Sequence, residues 1–411
     1  MMAVEIGRLA NGMRVATIAM PGLRTAAVGL CAAVGARHEE ARENGIAHLF
    51  EHMLFKGTEV RDARGLAEAI EDVGGTLNAF TSRETTMFHA RVMGADMPLA
   101  VALIAEMVTR PRFAEADLAL EKQVVDAEIR EACDLAEDRV FDLLQELAFP
   151  DQPLGRPILG TPATLEALDT GALRRWRDRC YRGPALVLVA AGAVSHEEVM
   201  TAAEPLFGGL SADSPAESVP GAFAGGVRAE RRPADVTQVA IGLPGVSVHS
   251  AHHYAAELFV TALGGGASSR LFQEVREARG LAYSVSASHA PYADLGFATL
   301  HLATRPADAE RATALVLEVA REAAASLTQA ELERARVQLK AGLLMGLEGC
   351  AGQAGWVGQT LLTHGRVVPP EEVEAAIESV TLADARAAGA AMLAGPIALA
   401  SIGPRPLKTL P

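Results

Sequence analysis

Between Gly208 and Gly226 the sequence turns small, polar and proline-containing, with Ser211-Ala-Asp-Ser-Pro-Ala-Glu-Ser-Val-Pro-Gly at its centre. Such a stretch suits an exposed linker and offers little to a packed core. It separates a 411-residue chain into two parts, each within the size range of an independent domain. The reading is a first domain over 1–210, a linker over 211–226 and a second domain over 227–411. Each part opens on strand-like segments. In the first these are Met13-Arg-Val-Ala-Thr-Ile-Ala and Ala26-Ala-Val-Gly-Leu-Cys-Ala-Ala-Val; in the second, Thr237-Gln-Val-Ala-Ile-Gly-Leu and Gly296-Phe-Ala-Thr-Leu-His-Leu. Helical patterns follow in both, so each part reads as α+β. In the first part helices fit 44–55, 63–73, 96–108 and 115–148, and strands fit 75–81 and 84–93. The pattern hints at an internal duplication that identity between the halves is too weak to show.

Composition narrows the function. The net charge is −14, and nucleic-acid binding needs a basic footprint. An acidic surface suits a basic or amphipathic peptide, and equally serves solubility. No apolar run reaches the roughly 18 residues that span a bilayer, so no membrane association is expected. The N-terminal Met1-Met2-Ala3-Val4-Glu5-Ile6 has neither a basic nor an apolar leader segment and reads as the start of a strand, which points to the cytoplasm. Cys31, Cys133, Cys180 and Cys350 are widely separated and form no C-x-x-C pair. They are expected as buried reduced thiols.

The chemistry concentrates in His48-Leu49-Phe50-Glu51-His52. On a helix, residues i and i+4 project from one face, so His48 and His52 can share a cation. Glu51 borders that face, where it can take a proton from water acidified by a metal. An amphipathic helix with two surface histidines would show the same pentapeptide. Here, however, Ile46, Leu49, Phe50, Met53 and Leu54 embed the polar residues in an apolar run, as a dry pocket around a charged centre requires.

A catalytic zinc site needs a third protein ligand and an open position. The expected helix over 115–148 carries glutamates at 115, 121, 128, 131, 137 and 146. At 100° per residue Glu121 and Glu128 fall within the stripe of Leu118, Val125, Ala132 and Ala136. A carboxylate on an apolar stripe is costly unless paired or metal-bound. Glu128 is therefore the candidate third ligand, and Glu121, one heptad earlier, the candidate acceptor that orients a histidine. Two solvated glutamates on a broad polar face are the alternative.

These residues resemble a known family. Gly45-Ile-Ala-His-Leu-Phe-Glu-His-Met-Leu-Phe-Lys-Gly-Thr58 is similar to the signature of the pitrilysin/insulinase zinc metallopeptidases, the inverzincins, and is nearest the branch of the mitochondrial processing peptidase and its bacterial relatives. The resemblance implies a third ligand, a glutamate, about 75 residues after the second histidine. Glu128, in Val124-Val-Asp-Ala-Glu-Ile129, stands 76 residues after His52. The family's supporting glutamate seven residues earlier falls on Glu121. Gly75-Thr-Leu-Asn-Ala-Phe-Thr-Ser-Arg-Glu-Thr85 resembles the edge strand that takes substrate by strand addition, with Asn78, Ala79 and Phe80 along the peptide. Phe55 matches a residue lining the pocket beyond the cut, and reads equally well as a core phenylalanine. In the second part, Leu263-Gly-Gly-Gly-Ala-Ser-Ser-Arg-Leu-Phe-Gln-Glu-Val-Arg-Glu-Ala-Arg-Gly-Leu-Ala-Tyr-Ser284 is equally similar. It assigns Arg276 and Tyr283 to substrate binding, with Tyr283 also at the oxyanion.

The resemblance implies two α+β rolls, each an antiparallel sheet packed with helices, facing each other as a clamshell around a peptide. It also implies Zn2+, a peptide substrate, and pairing as a homodimer or a heterodimer with a related chain. The function so implied is a zinc-dependent endopeptidase. A catalytically silent partner subunit and a zinc-containing peptide-binding protein of the same fold are the alternatives. Outside the motif, Gly264-Gly-Gly-Ala ends a helix and lacks the lysine of a phosphate loop. His249-Ser-Ala-His-His253 copies ligand spacing without an internal glutamate and is expected to be solvated. His38, His89, His196, His289, His301 and His364 have no ligand-spaced partner in the sequence.

Overall fold

A computed structural model of the chain describes residues 3–214 and 217–411. Pro215 and Ala216, inside the expected linker, lie outside the described residues. The chain forms two compact units. One comprises residues up to Ile129 with Pro157–Val219 and Leu344–Pro369; the other comprises Arg130–Arg156, Pro220–Leu343 and Pro370–Pro411.

The first unit is built on a six-stranded sheet. Its strands are β1 (Val4–Arg8), β2 (Arg14–Ala19), β3 (Thr25–Ala32), β4 (Thr76–Thr81), β5 (Thr86–Met93) and β6 (Leu186–Gly192). They lie in the order β1-β2-β6-β3-β5-β4, which leaves β4 at an edge. The sheet is mixed rather than wholly antiparallel, because β2 and β6 run parallel. A hairpin can only produce antiparallel neighbours, whereas β6 reaches β2 after a long helical excursion and can enter parallel. Between the strands run α1 (Ile46–Leu54), α2 (Ala63–Glu71), α3 (Met97–Thr109) and α4 (Glu115–Asp134).

The second unit has a five-stranded sheet of β7 (Gly226–Arg231), β8 (Thr237–Gly245), β9 (Ser284–Pro291), β10 (Gly296–Thr304) and β11 (Ala398–Gly403), in the order β7-β11-β8-β10-β9. Its one parallel pair is β7 with β11. Taken in chain order, these strands occupy the same sheet positions, with the same senses, as β2 to β6 of the first unit. The duplication hinted at in the sequence is therefore present in the topology. Both units mix helices with a sheet, as the α+β reading expects.

Each sheet takes a covering helix from the opposite half of the sequence. Helix Cys350–His364 packs on β3 and β6 through Cys350, Ala354, Val357 and Leu361, against Ala27, Cys31, Val187 and Val189. Gly358 allows the close approach, because a Cβ there would stand 2.4 Å from the Cys31 Sγ. In the second unit, α5 (Ala136–Ala148) packs Val140, Leu143 and Leu144 against Ala240, Phe297, Ala400 and Ile402.

The helix expected over 115–148 is two helices, because the chain turns extended at Leu135 (φ −78°, ψ 103°). A continuous helix would bond the Cys133 carbonyl to the amide four residues on. Here that carbonyl accepts instead from the Arg232 guanidinium, a partner nearly a hundred residues away. Periodicity cannot reveal a break whose compensation is tertiary.

All four cysteines are free, with Cys31, Cys180 and Cys350 buried and Cys133 half-buried. Burial pushes the Cys31 thiol up to about 12 and the Cys180 thiol to about 11, so neither is a thiolate at neutral pH. Among the described residues no helix is long and apolar enough to cross a membrane.

Candidate metal centre

Helix α1 is anchored before it carries any chemistry. Gly45 precedes it in the left-handed region (φ 94°), and a side chain there would collide with the Leu159 carbonyl. The Glu39 carboxylate caps the first turn, accepting from the Gly45 and Ala47 amides, each at 2.9 Å, and from Asn44 Nδ2 at 2.8 Å. An anion at a helix N-terminus satisfies donors that otherwise lack partners and complements the helix dipole. Ile46, Leu49, Phe50, Met53 and Leu54 are fully buried. That burial fixes the helix rotation and turns His48, Glu51 and His52 to the other side.

On that side α4 meets α1. Leu118, Glu121, Val125 and Ile129 form its buried stripe. Glu128 lies at the stripe's border, with 38 % of its side chain exposed. His48 Nε2 stands 3.9 Å and His52 Nε2 3.7 Å from Glu128 Oε2. One donor atom from each of the three residues lies within 4.8 Å of the other two. Donors about 2.0–2.1 Å from a tetrahedral zinc stand roughly 3.3 Å apart, so small side-chain rotations close the set on a cation. Two imidazoles and one carboxylate suit zinc better than magnesium or calcium, which take oxygen.

Around these three the polar groups are ordered. His52 Nδ1 bonds Glu121 Oε1 at 2.8 Å, and Lys56 Nζ bonds Glu121 Oε2 at 2.6 Å. His48 Nδ1 is buried with no hydrogen-bond partner among the described residues, and Nε2 is the nitrogen that faces Glu128. Burial pushes His48 down to about 4, with the neighbouring His52 adding to it and Glu121 opposing it; it is neutral at pH 7 and its lone pair is available. Burial also lowers His52, but the Glu121 hydrogen bond and the charges of Glu128, Glu121 and Glu51 outweigh it and raise the imidazole above its ordinary value. Burial alone would raise Glu121. The hydrogen bonds from His52 and Lys56, with their charges, outweigh it and hold this carboxyl below the usual range. Glu51 is pushed up by burial, against the Thr81 hydrogen bond and His52, and with Glu128 adding to the rise.

β4 packs beside α1 at the sheet edge. Leu77, Ala79 and Thr81 are half-buried while Thr76, Asn78 and Phe80 are exposed. The Asn78 Oδ1 accepts from the Ala79 amide at 2.8 Å, and Phe80 is 49 % exposed. Phe55 is half-buried at the end of α1. Arg276 and Tyr283 come together in the second unit. The guanidinium lies 4.5 Å from the Phe272 ring centroid and 6.0 Å from that of Tyr283, whose ring is 81 % exposed. Arg276 itself sits in the π-helical segment Phe272–Glu277.

Sequence reasoning overlooked Lys56 and Thr81. Lys56 is i+4 from His52, and strand alternation places Thr81 on the face of β4 that meets α1; the sequence carries these placements, but not the contacts with Glu121 and Glu51. The expectation for the other histidines needs correction. His249 and His252 are exposed, but His253 is half-buried and shares a cluster with Glu257 and His289. Helix and strand bring these together across a separation that linear spacing cannot reveal. His289 accepts from the Val246 amide at Nε2 (3.3 Å), which places its proton on Nδ1, facing Glu257 Oε1 at 2.8 Å. Both ring nitrogens are thereby used, as in a satisfied buried histidine.

Residues 14–162 match the family described as Insulinase (Peptidase family M16), and residues 167–339 match the Peptidase M16 inactive domain. The chain is 35 % identical over 405 residues to an uncharacterized zinc protease of Rickettsia bellii, covering 98 % of each. It is 37 % identical over 410 residues to one of Mycobacterium tuberculosis, covering 97 % of this chain and 93 % of that one. The chain therefore belongs to the insulinase family of peptidases. Solved structures share its fold: a peptidase M16 inactive domain from Pseudomonas fluorescens (TM-score 0.90, 22 % identity, 98 % of each chain) and a protease from Helicobacter pylori (TM-score 0.88, 20 % identity, 98 % of this chain and 100 % of that one).

Proposed function

We propose that this chain is a zinc-dependent endopeptidase acting on extended peptides. The convergence of His48, His52 and Glu128 on one point carries the reading, supported by relatives named as zinc proteases. His48 and His52 would hold the metal through Nε2 and Glu128 through a carboxylate oxygen. Zinc, when bound, supplies Lewis acidity, which brings the pKa of a water to about 7 and polarises a carbonyl. Glu121 orients His52 through Nδ1, and Lys56 steadies Glu121. Glu51 takes the proton from the attacking water and returns it to the leaving amine; its raised pKa suits both halves of that exchange. The peptide adds as a strand to β4, beside Asn78, Ala79 and Phe80, with Phe55 lining the pocket beyond the cut. Arg276 and Tyr283 donate hydrogen bonds to substrate, Tyr283 at the developing oxyanion.

The division of the chain at 211–226, the cytoplasmic location and the pairing with a second such chain belong to the same proposal. His48, His52 and Glu128 all lie within 14–162, the segment matched to the insulinase family, and outside 167–339, the segment matched to the domain described as inactive.

One panel of variants tests the roles, with zinc content and cleavage of a quenched peptide measured on each. Glu128→Gln should lose zinc, since a neutral amide is a poor replacement for a carboxylate ligand. Glu51→Gln should keep zinc and lose cleavage. Tyr283→Phe should keep zinc and lose about 100- to 1000-fold in kcat, the usual effect of removing an oxyanion donor. A Glu128→Gln protein with full zinc and full activity, or wild-type turnover in Glu51→Gln or Tyr283→Phe, refutes the corresponding assignment. A wild-type protein that binds zinc stoichiometrically yet cleaves no peptide in a broad library refutes the peptidase reading.

A further inference from the structure

Thr81 is the last residue of β4, and its hydroxyl donates to Glu51 Oε2. The surrounding hydroxyls determine the direction of that bond. Thr86 Oγ1 lies 3.5 Å from Thr81 Oγ1, but it gives its own proton to the Val34 carbonyl at 2.8 Å. A threonine hydroxyl has one proton, so Thr86 has none left for Thr81, and Thr81's own proton goes to the closer carboxylate. The contact spans two elements, the edge strand and the helix that carries His48 and His52, and neither partner is exposed.

We propose that Thr81 is a positioning residue for Glu51: its hydroxyl holds Oε2 and leaves Oε1 as the oxygen that takes the proton from water. The inference rests on the reading of Glu51 as general base. It adds that the base is tied to the strand on which the peptide is proposed to lie. Carboxylate torsions about the final side-chain bond are broad, so without a donor this group samples orientations that direct neither oxygen at the reacting water. Near-attack geometry is sensitive to such displacement.

The test uses the zinc-loaded full chain and three proteins: wild type, Thr81→Val and Thr81→Ser. Zinc content, kcat and KM on a quenched peptide, and the Glu51 position in high-resolution crystal structures are read for each. Thr81→Val keeps the shape and removes the donor. It should retain zinc, release Glu51 from its present orientation, and lose about 10- to 100-fold in kcat with KM nearly unchanged, the size expected for a hydrogen bond to a charged group. Thr81→Ser restores a hydroxyl at the same place and should recover both the Glu51 position and the turnover. If Thr81→Val does not fold, Thr81→Ala against Thr81→Ser makes the same comparison. Glu51 unmoved in the donor-free variant, or moved without loss of turnover in an active enzyme, overturns the proposal. If no protein cleaves peptide but Glu51 still moves without the hydroxyl and returns with serine, the positioning stands and the peptidase reading falls.

Discussion

The Oε1 of Glu121 stands 2.8 Å from Nδ1 of His52, so one ring nitrogen of His52 is engaged and Nε2 is left to face Glu128. This bond sets the tautomer of a proposed metal ligand from a residue outside the proposed ligand set. Such partners commonly change metal affinity by 10- to 100-fold.

Glu121→Ala should therefore weaken zinc binding by about 10- to 100-fold while leaving all three proposed ligands in place. Lys56→Met, which frees the other carboxylate oxygen, should act in the same direction and less strongly. Competition against a chromogenic chelator measures both. Wild-type affinity in Glu121→Ala would mean that His52 is oriented by packing alone.

Zinc binding should weaken as the pH falls, in two steps, His52 before His48. His52 has a raised pKa in the metal-free protein, so its proton competes first, as pH drops through that value. His48 is pushed down to about 4 and stays neutral until then, so its competition arrives only in that range. The same linkage acts on folding without metal. The raised His52 contributes stability that is fully present below its unfolded value, about 6.5, and is lost as pH rises through the folded value. Lowered His48 works in the opposite sense, costing stability as pH falls from about 6.5 towards 4. Chelator competition at several pH values checks the binding order. Affinity that does not vary from about pH 5 to 8, a range spanning the ordinary titration of histidine, contradicts it.

Gly358→Val should destabilise the first unit. The new Cβ would meet the buried Cys31 Sγ at 2.4 Å and Val189 at 3.4 Å, and helix Cys350–His364 would have to lift from β3 and β6. Overpacking of this kind costs about 1–3 kcal/mol, to be read by urea unfolding with zinc binding as a control. An unchanged midpoint would show that the helix shifts without loss.

Short-range pattern alone determined much of this protein. The i, i+4 spacing of His48 and His52 within an apolar run defined α1 and its polar face, because helix geometry places those residues together whatever surrounds them. Alternation and turn residues located β4 and β5, and the heptad from Glu121 to Glu128 placed both carboxylates on the side of α4 that turns inward. Tertiary structure decided the rest. Only packing shows that Thr81 and Lys56 reach Glu51 and Glu121, because those contacts join elements whose relative register is not written in either segment. The break at Leu135 is compensated by Arg232, and the His253, Glu257 and His289 cluster joins a helix to a distant strand. The first sheet is covered by helix Cys350–His364, from the far end of the chain. Hydrophobic burial is non-directional, so any apolar face of matching shape can serve as a cover. Which face does so depends on fit, as with Gly358 against Cys31, and that fit exists only once both surfaces are folded.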